Sequence, residues 1–284
     1  MSYRSGGIQL LIRRGFKFEL RPNGMQIQLM MQFCGCARYV YNRTLSLEKS
    51  LYEKDSKHSF KYTEAANRLP GWKKKNPFLK KCHSQVLQQS LKDLDRAYTN
   101  FFEKRGNFPK YKKKYRHDSI RFPQGVELDE VKQQIRLPKI GWMGYRKSRD
   151  IIGTIKNVTV SRRGEKWDVS IQTEYKASPP APSPSEIGID MGVKRFATLS
   201  NGDFVEPLNP LKQEQEKLAK LQRKLARQKK GSRNSRKTKR KIARLHRYIA
   251  DSRRDFLHKT STKIAKNHSI IYVEDLRNLC TKGG

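Results

Sequence analysis

Apolar positions change period several times along the chain, and each change predicts an element. Phe16-Lys17-Phe18-Glu19-Leu20-Arg21 alternates and stops at Pro22-Asn23-Gly24, as a strand ended by a turn does. From Met25 the period becomes helical. Ile27, Met30, Met31, Cys34, Ala37, Tyr41 and Leu45 share one face and predict a helix to about Glu53. Val86, Leu87, Leu91, Leu94, Ala97, Tyr98, Phe101 and Phe102 form a second stripe, with Ser84 placed as its N-cap. At helical spacing, Tyr98, Phe101 and Phe102 read as packing core rather than a platform for bases. Between the helices, Pro70-Gly71-Trp72 and Lys73-Lys74-Lys75-Asn76-Pro77 read as a basic loop.

Residues 106–178 are strand-rich. Short alternating runs at Ile120–Phe122, Gln134–Leu137, Thr154–Val160 and Trp167–Thr173 are separated by turn residues. The last two, joined by Arg162-Arg163-Gly164-Glu165, predict a hairpin. A small β-barrel-like module completed by the strand near Phe16 is the economical arrangement. The Pro/Ser-rich stretch 179–185 predicts a stiff linker. Beyond it, Ile187-Gly188-Ile189-Asp190 and Phe196-Ala197-Thr198-Leu199 lead through Ser200-Asn201-Gly202-Asp203 to Phe204-Val205, the pattern of a meander. Leu218, Leu221, Leu225 and later Ile242, Leu245, Ile249 keep a narrow seam, broken at Gly231–Ser235, so two antiparallel helices are expected. Ile270-Ile271-Tyr272-Val273 closes the pattern as a strand ending at Glu274-Asp275.

Charge changes the picture most. The chain carries 63 Lys+Arg against 26 Asp+Glu, net +37 over 284 residues, a surplus that a polyanion would neutralise. Residues 212–266 alone hold 21 Lys+Arg and 4 Asp+Glu. That imbalance favours phosphate binding over a merely solvated face, with Arg223, Lys224, Arg227, Arg236, Lys237 and Arg240 as candidates. Lys110-Tyr111-Lys112-Lys113-Lys114 interleaves cations with a ring, which suits stacking beside phosphate contact or an exposed basic loop equally. Hydrophobic residues make up 35%, below the globular average of roughly 45–50%, yet the aromatic residues suffice for packed cores. No run of about 18 uncharged apolar residues exists, and the N-terminus lacks a cleavage signal, so no membrane partner is expected and the location expected is cytoplasmic, beside the nucleoid. Cys34, Cys36, Cys82 and Cys280 read as reduced thiols; a metal on Cys34, Cys36 and His83 would strain a tetrahedral site.

Two strands end in carboxylates. If they run parallel and adjacent, Asp190 and Glu274 meet at the carboxyl edge of the sheet, where ligands commonly sit. Hard oxygen donors there suit Mg²⁺ or Mn²⁺ and phosphodiester chemistry. Equally open is that Asp190 caps the next turn and Glu274 pairs with an arginine.

At these residues the sequence resembles the TnpB (OrfB) family of insertion-sequence proteins, relatives of single-effector type V CRISPR nucleases. The match runs in order: Phe16-Lys17-Phe18 with Gly35, Arg38, Tyr39, Val40, Tyr41 and Asn42; Gln85 to Phe102; Gly106-Asn107-Phe108-Pro109-Lys110-Tyr111-Lys112; Leu137-Pro138-Lys139-Ile140-Gly141 with Thr159–Arg162 and Trp167; then Gly188–Val193 and Val273–Leu276. The resemblance implies a multi-domain α/β protein. A β-barrel wedge module (1–33 and 106–178) would carry a helical recognition domain (34–105). After the 179–185 linker would come an RNase H-like RuvC nuclease domain (186–284) bearing the basic hairpin (212–266). It implies an RNA-guided DNA endonuclease whose partners are guide RNA and target DNA, with Asp190 and Glu274 as catalytic, Mg²⁺- or Mn²⁺-binding carboxylates. Family members continue with a Cys₄ zinc ribbon and a third RuvC carboxylate that this sequence does not contain. The expectation is therefore a C-terminal truncation, no zinc site, an incomplete RuvC domain and little or no cleavage. The alternative is a nucleic-acid-binding protein or regulator that does not cut; an architectural basic protein is a third possibility.

Overall fold

The computed structural model of the chain describes residues 9–178, 185–192 and 194–274. The fold is mixed α/β, and the chain divides after Ser178 into two compact units.

The first unit contains β1 (Leu10–Arg21), α1 (Gly24–Lys54), α2 (Tyr62–Asn67), α3 (Leu69–Lys75), α4 (Phe78–Lys81) and α5 (Ser84–Phe102). These are followed by β2 (Ser119–Phe122), β3 (Glu127–Asp129), β4 (Gln134–Leu137), β5 (Gly141–Tyr145), β6 (Thr154–Arg163) and β7 (Lys166–Ala177). The strands form one antiparallel sheet in the order β2-β6-β7-β1-β5-β4-β3. β1 is central: it pairs with β7 from Leu10↔Ala177 to Leu20↔Trp167, and with β5 at Leu20↔Tyr145 and Arg21↔Gly144. Alternation puts Phe16, Phe18 and Leu20 on one face, opposite Ile171, Val169 and Trp167. All six are buried in a core that also takes Met30, Phe33 and Val40 of α1 and Leu87 and Leu91 of α5. The expected barrel is laddered as an open sheet. Its outer strands, of four and three residues, do not pair with each other among the described residues and offer few bonds with which to close.

Several local expectations need correction. α1 starts at Gly24, so the domain boundary drawn at residue 34 falls inside it. Asn23 caps it through a box in which the Gln26 amide N–H donates to Asn23 Oδ1 and the Asn23 amide N–H donates to Gln26 Oε1. Ser84 is the first helical residue rather than the cap, and its hydroxyl takes the Lys73 ammonium instead. The basic loop at 70–77 is largely helix α3, because proline in a first turn starts a helix rather than breaking one. β5 follows a tight turn with Lys139 and Gly141 both at positive φ. The β6–β7 hairpin closes at Arg163↔Lys166 around Gly164, whose φ of 65° suits the first central position of a two-residue turn.

Cys34, Cys36 and Cys82 are packed into the core of the first unit. All three are buried free thiols, Cys36 donates to the Phe78 carbonyl at 3.7 Å, and the described residues contain no cluster of three metal-binding side chains. A hydrogen bond with Cys36, then burial, pushes the Cys82 thiol well above its usual range. Cys280 lies outside the described residues.

The second unit contains β8 (Glu186–Asp190), β9 (Ala197–Leu199), β10 (Phe204–Val205), α6 (Pro210–Ala226), α7 (Arg233–Asn267) and β11 (Ile270–Val273), with sheet order β10-β9-β8-β11. β8, β9 and β10 form an antiparallel meander, and β11 joins β8 in parallel. The seam between α6 and α7 carries Leu218 and Ile249, both buried, with Leu221, Leu225, Ile242 and Leu245 half-buried. The break lies slightly earlier than expected, since the Ser232 hydroxyl caps α7 by accepting from the Ser235 amide. Most of the expected linker lies outside the described residues. Ser185 itself belongs to the sheet entrance, where its carbonyl accepts from the Ser269 amide at 2.9 Å.

Candidate functional site

The register of β8 and β11 decides where the carboxylates go. Ile270, Ile271, Tyr272 and Val273 lie beside Glu186, Ile187, Gly188 and Ile189. Asp190 and Glu274 are the next residues of the two chains after the last recorded pair. In-register neighbours in a parallel pair project to the same face, about 4.8 Å apart along the hydrogen-bonding direction. Asp190 and Glu274 accordingly line one open cleft with Gly188, Thr198, Ser200 and Tyr272. The opposite face is apolar: Ile189, Ala197 and Ile271 turn toward Leu257 and Ile264 of α7, and Phe196 meets Phe256 edge-on at 5.0 Å.

Local sequence explains the cleft. Gly188 leaves room beside Ser200, where a Cβ would come within 3.5 Å of the serine Cβ, and the Gly188 amide donates to Ser200 Oγ at 3.0 Å. The backbone closes the same pair, with the Ser200 amide donating to the Gly188 carbonyl. Asp190 and Glu274 are exposed rather than buried, because β11 is an outer strand whose four residues are all exposed. Among the described residues neither carboxylate has a cation or hydrogen-bond donor, so neither a turn cap at Asp190 nor an arginine partner for Glu274 is seen. Two carboxylates and the hydroxyls of Thr198 and Ser200 on one face make a hard, oxygen-only donor set. That set fits a divalent cation that keeps part of its water shell; no third carboxylate, His or Cys joins it among the described residues. Asp275 lies outside the described residues.

The basic residues divide in two. Arg223, Lys224, Arg227, Arg236, Lys237 and Arg240 are all exposed along the α6–α7 hairpin. In the 110–114 loop, Lys110, Lys112, Lys113 and Lys114 are all exposed, and Lys112 also lies against neighbouring side chains. Its Nζ lies 4.2 Å from the Tyr41 ring centre and 3.5 Å from Asp93 Oδ2. Tyr111 has one face covered by Lys49 at 5.1 Å. Asn42, which carried no assigned role in the sequence, holds the loop: its side-chain amide donates to the Lys112 carbonyl at 3.0 Å, and its Oδ1 accepts from the Lys112 amide at 2.8 Å. An asparagine on a helix gives no sequence signal of such a contact 70 positions away.

Comparison with known proteins gives concordant matches. Residues 168–278 match the OrfB_IS605 family profile, described as "Probable transposase", and residues 12–57 match HTH_OrfB_IS605, described as "Helix-turn-helix domain". In this chain the second stretch is strand β1 and the single long helix α1. Over 93% of its length the chain is 50% identical to "Putative RNA-guided DNA endonuclease InsQ" of Escherichia coli (strain K12), covering 66% of that protein. Over 96% of its length it is 34% identical to "Putative RNA-guided DNA endonuclease" of Streptomyces pristinaespiralis, covering 69%. The chain thus spans about two thirds of the length of the curated relatives it matches. A superposition on a "Cas12f1-sgRNA-target DNA complex" covers 95% of this chain and 75% of that one, at 17% identity and a TM-score of 0.33. Sequence identity sustained almost end to end, with two OrfB profiles matched, makes the chain a member of the TnpB (OrfB) family of insertion-sequence proteins.

Proposed function

We propose that the chain acts as an RNA-guided DNA endonuclease of the transposon-encoded type, with Asp190 and Glu274 as its metal-holding carboxylates. The observation that carries this reading is the parallel β8–β11 register, which brings the two onto one solvent-open face with no competing cation among the described residues. A bound Mg²⁺ or Mn²⁺ would supply Lewis acidity at a phosphodiester oxygen. The chain's own contribution is to orient two oxygen donors from neighbouring strand ends at a cleft open to solvent. The exposed cations of α6 and α7, Arg236 and Lys237 among them, grip guide RNA or target DNA through phosphates, and base pairing to the guide reads the sequence. In the first unit, we assign the seven-stranded sheet to the wedge module and α1 to α5 to the recognition domain.

Purified protein, RNA transcribed with its gene, end-labelled DNA and Mg²⁺ provide the test. Cleavage that requires the ion and disappears in Asp190→Ala and Glu274→Ala is the expected result; cleavage unaffected by both substitutions would refute the site. A second reading, nucleic-acid binding without cutting, draws on the fact that only two carboxylates meet in the cleft among the described residues. It predicts RNA-dependent retention of DNA with no product under the same conditions.

A further inference from the structure

The first unit contains a cavity of about 300 Å³ that the nuclease reading does not use. It opens between the C-terminal halves of α1 and α5, and aromatic rings dominate its wall. Tyr98 stacks on Phe60 at 5.4 Å and on Phe102 at 6.4 Å, while Phe108 meets Tyr98 edge-on at 5.8 Å. Phe102 extends this stack to the surface and is 69% exposed, so it is not the packing residue its helical spacing predicts. Core duty falls to Tyr98, which is buried. Phe101 meets the Phe102 ring at 5.3 Å, tilted by 62°, and the exposed remainder of that ring is π surface on which one more planar group can stack.

The polar rim narrows what that group is. Lys49, over the Phe108 and Tyr111 rings, sets a cation beside the mouth. Glu53, exposed, adds an acceptor-only group at the cavity edge. Deeper in, Glu48 is already saturated: His58 Nε2 and Arg68 Nη1 each lie 2.7 Å from its oxygens, which fixes the wall rather than offering a site. An aromatic slot, one cation for a phosphate and one carboxylate for a hydroxyl or exocyclic amine match a nucleotide. The carboxylate favours ribose, since a 2′-hydroxyl can donate to it and deoxyribose has none.

We propose that this cavity takes a single unpaired nucleotide of an RNA strand, its base stacked on Phe102, its phosphate beside Lys49 and its 2′-hydroxyl donating to Glu53. The pocket shares with the endonuclease reading only the premise that the chain binds RNA.

The probe is a fluorescein-labelled single-stranded RNA decamer of adenosines, with a second version carrying 2-aminopurine at its centre, titrated with the full chain at fixed salt. Phe102→Ala should weaken binding about ten-fold, the size of a single base–ring stack, and leave the dependence on salt unchanged. Phe102→Trp should restore affinity, and 2-aminopurine emission should be quenched by the wild type but not by Phe102→Ala. Glu53→Gln should narrow the preference for RNA over the matching DNA decamer. Phe102→Ala binding as tightly as wild type, with quenching intact, would overturn the pocket; so would equal wild-type affinity for RNA and DNA. Arg236→Ala/Lys237→Ala serves as the comparison. If the wild type binds RNA and only the hairpin variant loses affinity, the pocket is wrong and the hairpin reading stands. If the wild type binds no RNA, both fall.

Discussion

Cys34 illustrates what one buried side chain contributes. Burial first, and then the nearby Asp118 carboxylate, push its thiol from an ordinary 9.0 up to about 12. An unfolded chain releases that proton near the ordinary value while the folded one holds it. The contribution to stability is therefore complete below about pH 9 and declines as pH rises from there toward 12. Thermal melts between pH 8 and 10.5 should show Tm falling less steeply in Cys34→Ala than in wild type; parallel slopes would refute the assignment. Glu48 gives a second residue-scale expectation. Its buried carboxylate holds both His58 and Arg68, so Glu48→Gln should cost about 1–3 kcal/mol in urea unfolding. At this scale the sequence disclosed identity more readily than environment. Asp190 and Glu274 stood out because acids end apolar runs, but their exposure at the ends of β8 and β11 is visible only in the structure.

Among elements, legibility followed the length and regularity of the pattern. α1 and α5 were readable from their stripes, and the meander from its turns. α3 was hidden by a proline whose effect depends on its place in the helix, and β5 by two glycines in five residues. The contact between Asn42 and the 110–114 loop was illegible because it joins residues far apart in sequence. It yields a sharp expectation. Asn42→Ala removes two hydrogen bonds that pin the backbone of Lys112, at about 0.5–1.5 kcal/mol each, and should speed tryptic cleavage at Lys112–Lys114 without a matching loss of global stability. Equal cleavage rates in both proteins would show that the loop is held by other means. Gly153 offers a backbone counterpart. At φ 92°, an added Cβ would come 2.7 Å from the Glu174 carbonyl oxygen, so Gly153→Ala should destabilise the first unit by more than about 1 kcal/mol in a denaturant titration.

For the molecule as a whole, the governing quantity is the charge of +37 and its concentration in residues 212–266. Most of the basic residues of that segment face solvent on α6 and α7, so the affinity for nucleic acid should fall linearly with log salt. Replacing Arg236 and Lys237 by alanine should lower that slope by about two, one for each phosphate no longer neutralised, and weaken binding alike for every sequence offered. An unchanged slope would remove these residues from the interface. The order of synthesis adds a last consequence. Glu274 follows Asp190 by the same 84-position offset that relates Ser185 to Ser269, and the whole basic hairpin lies between them. On the ribosome, then, the first acid emerges long before its companion, and the clamp that would hold a strand is finished before the blade that would cut it has both edges.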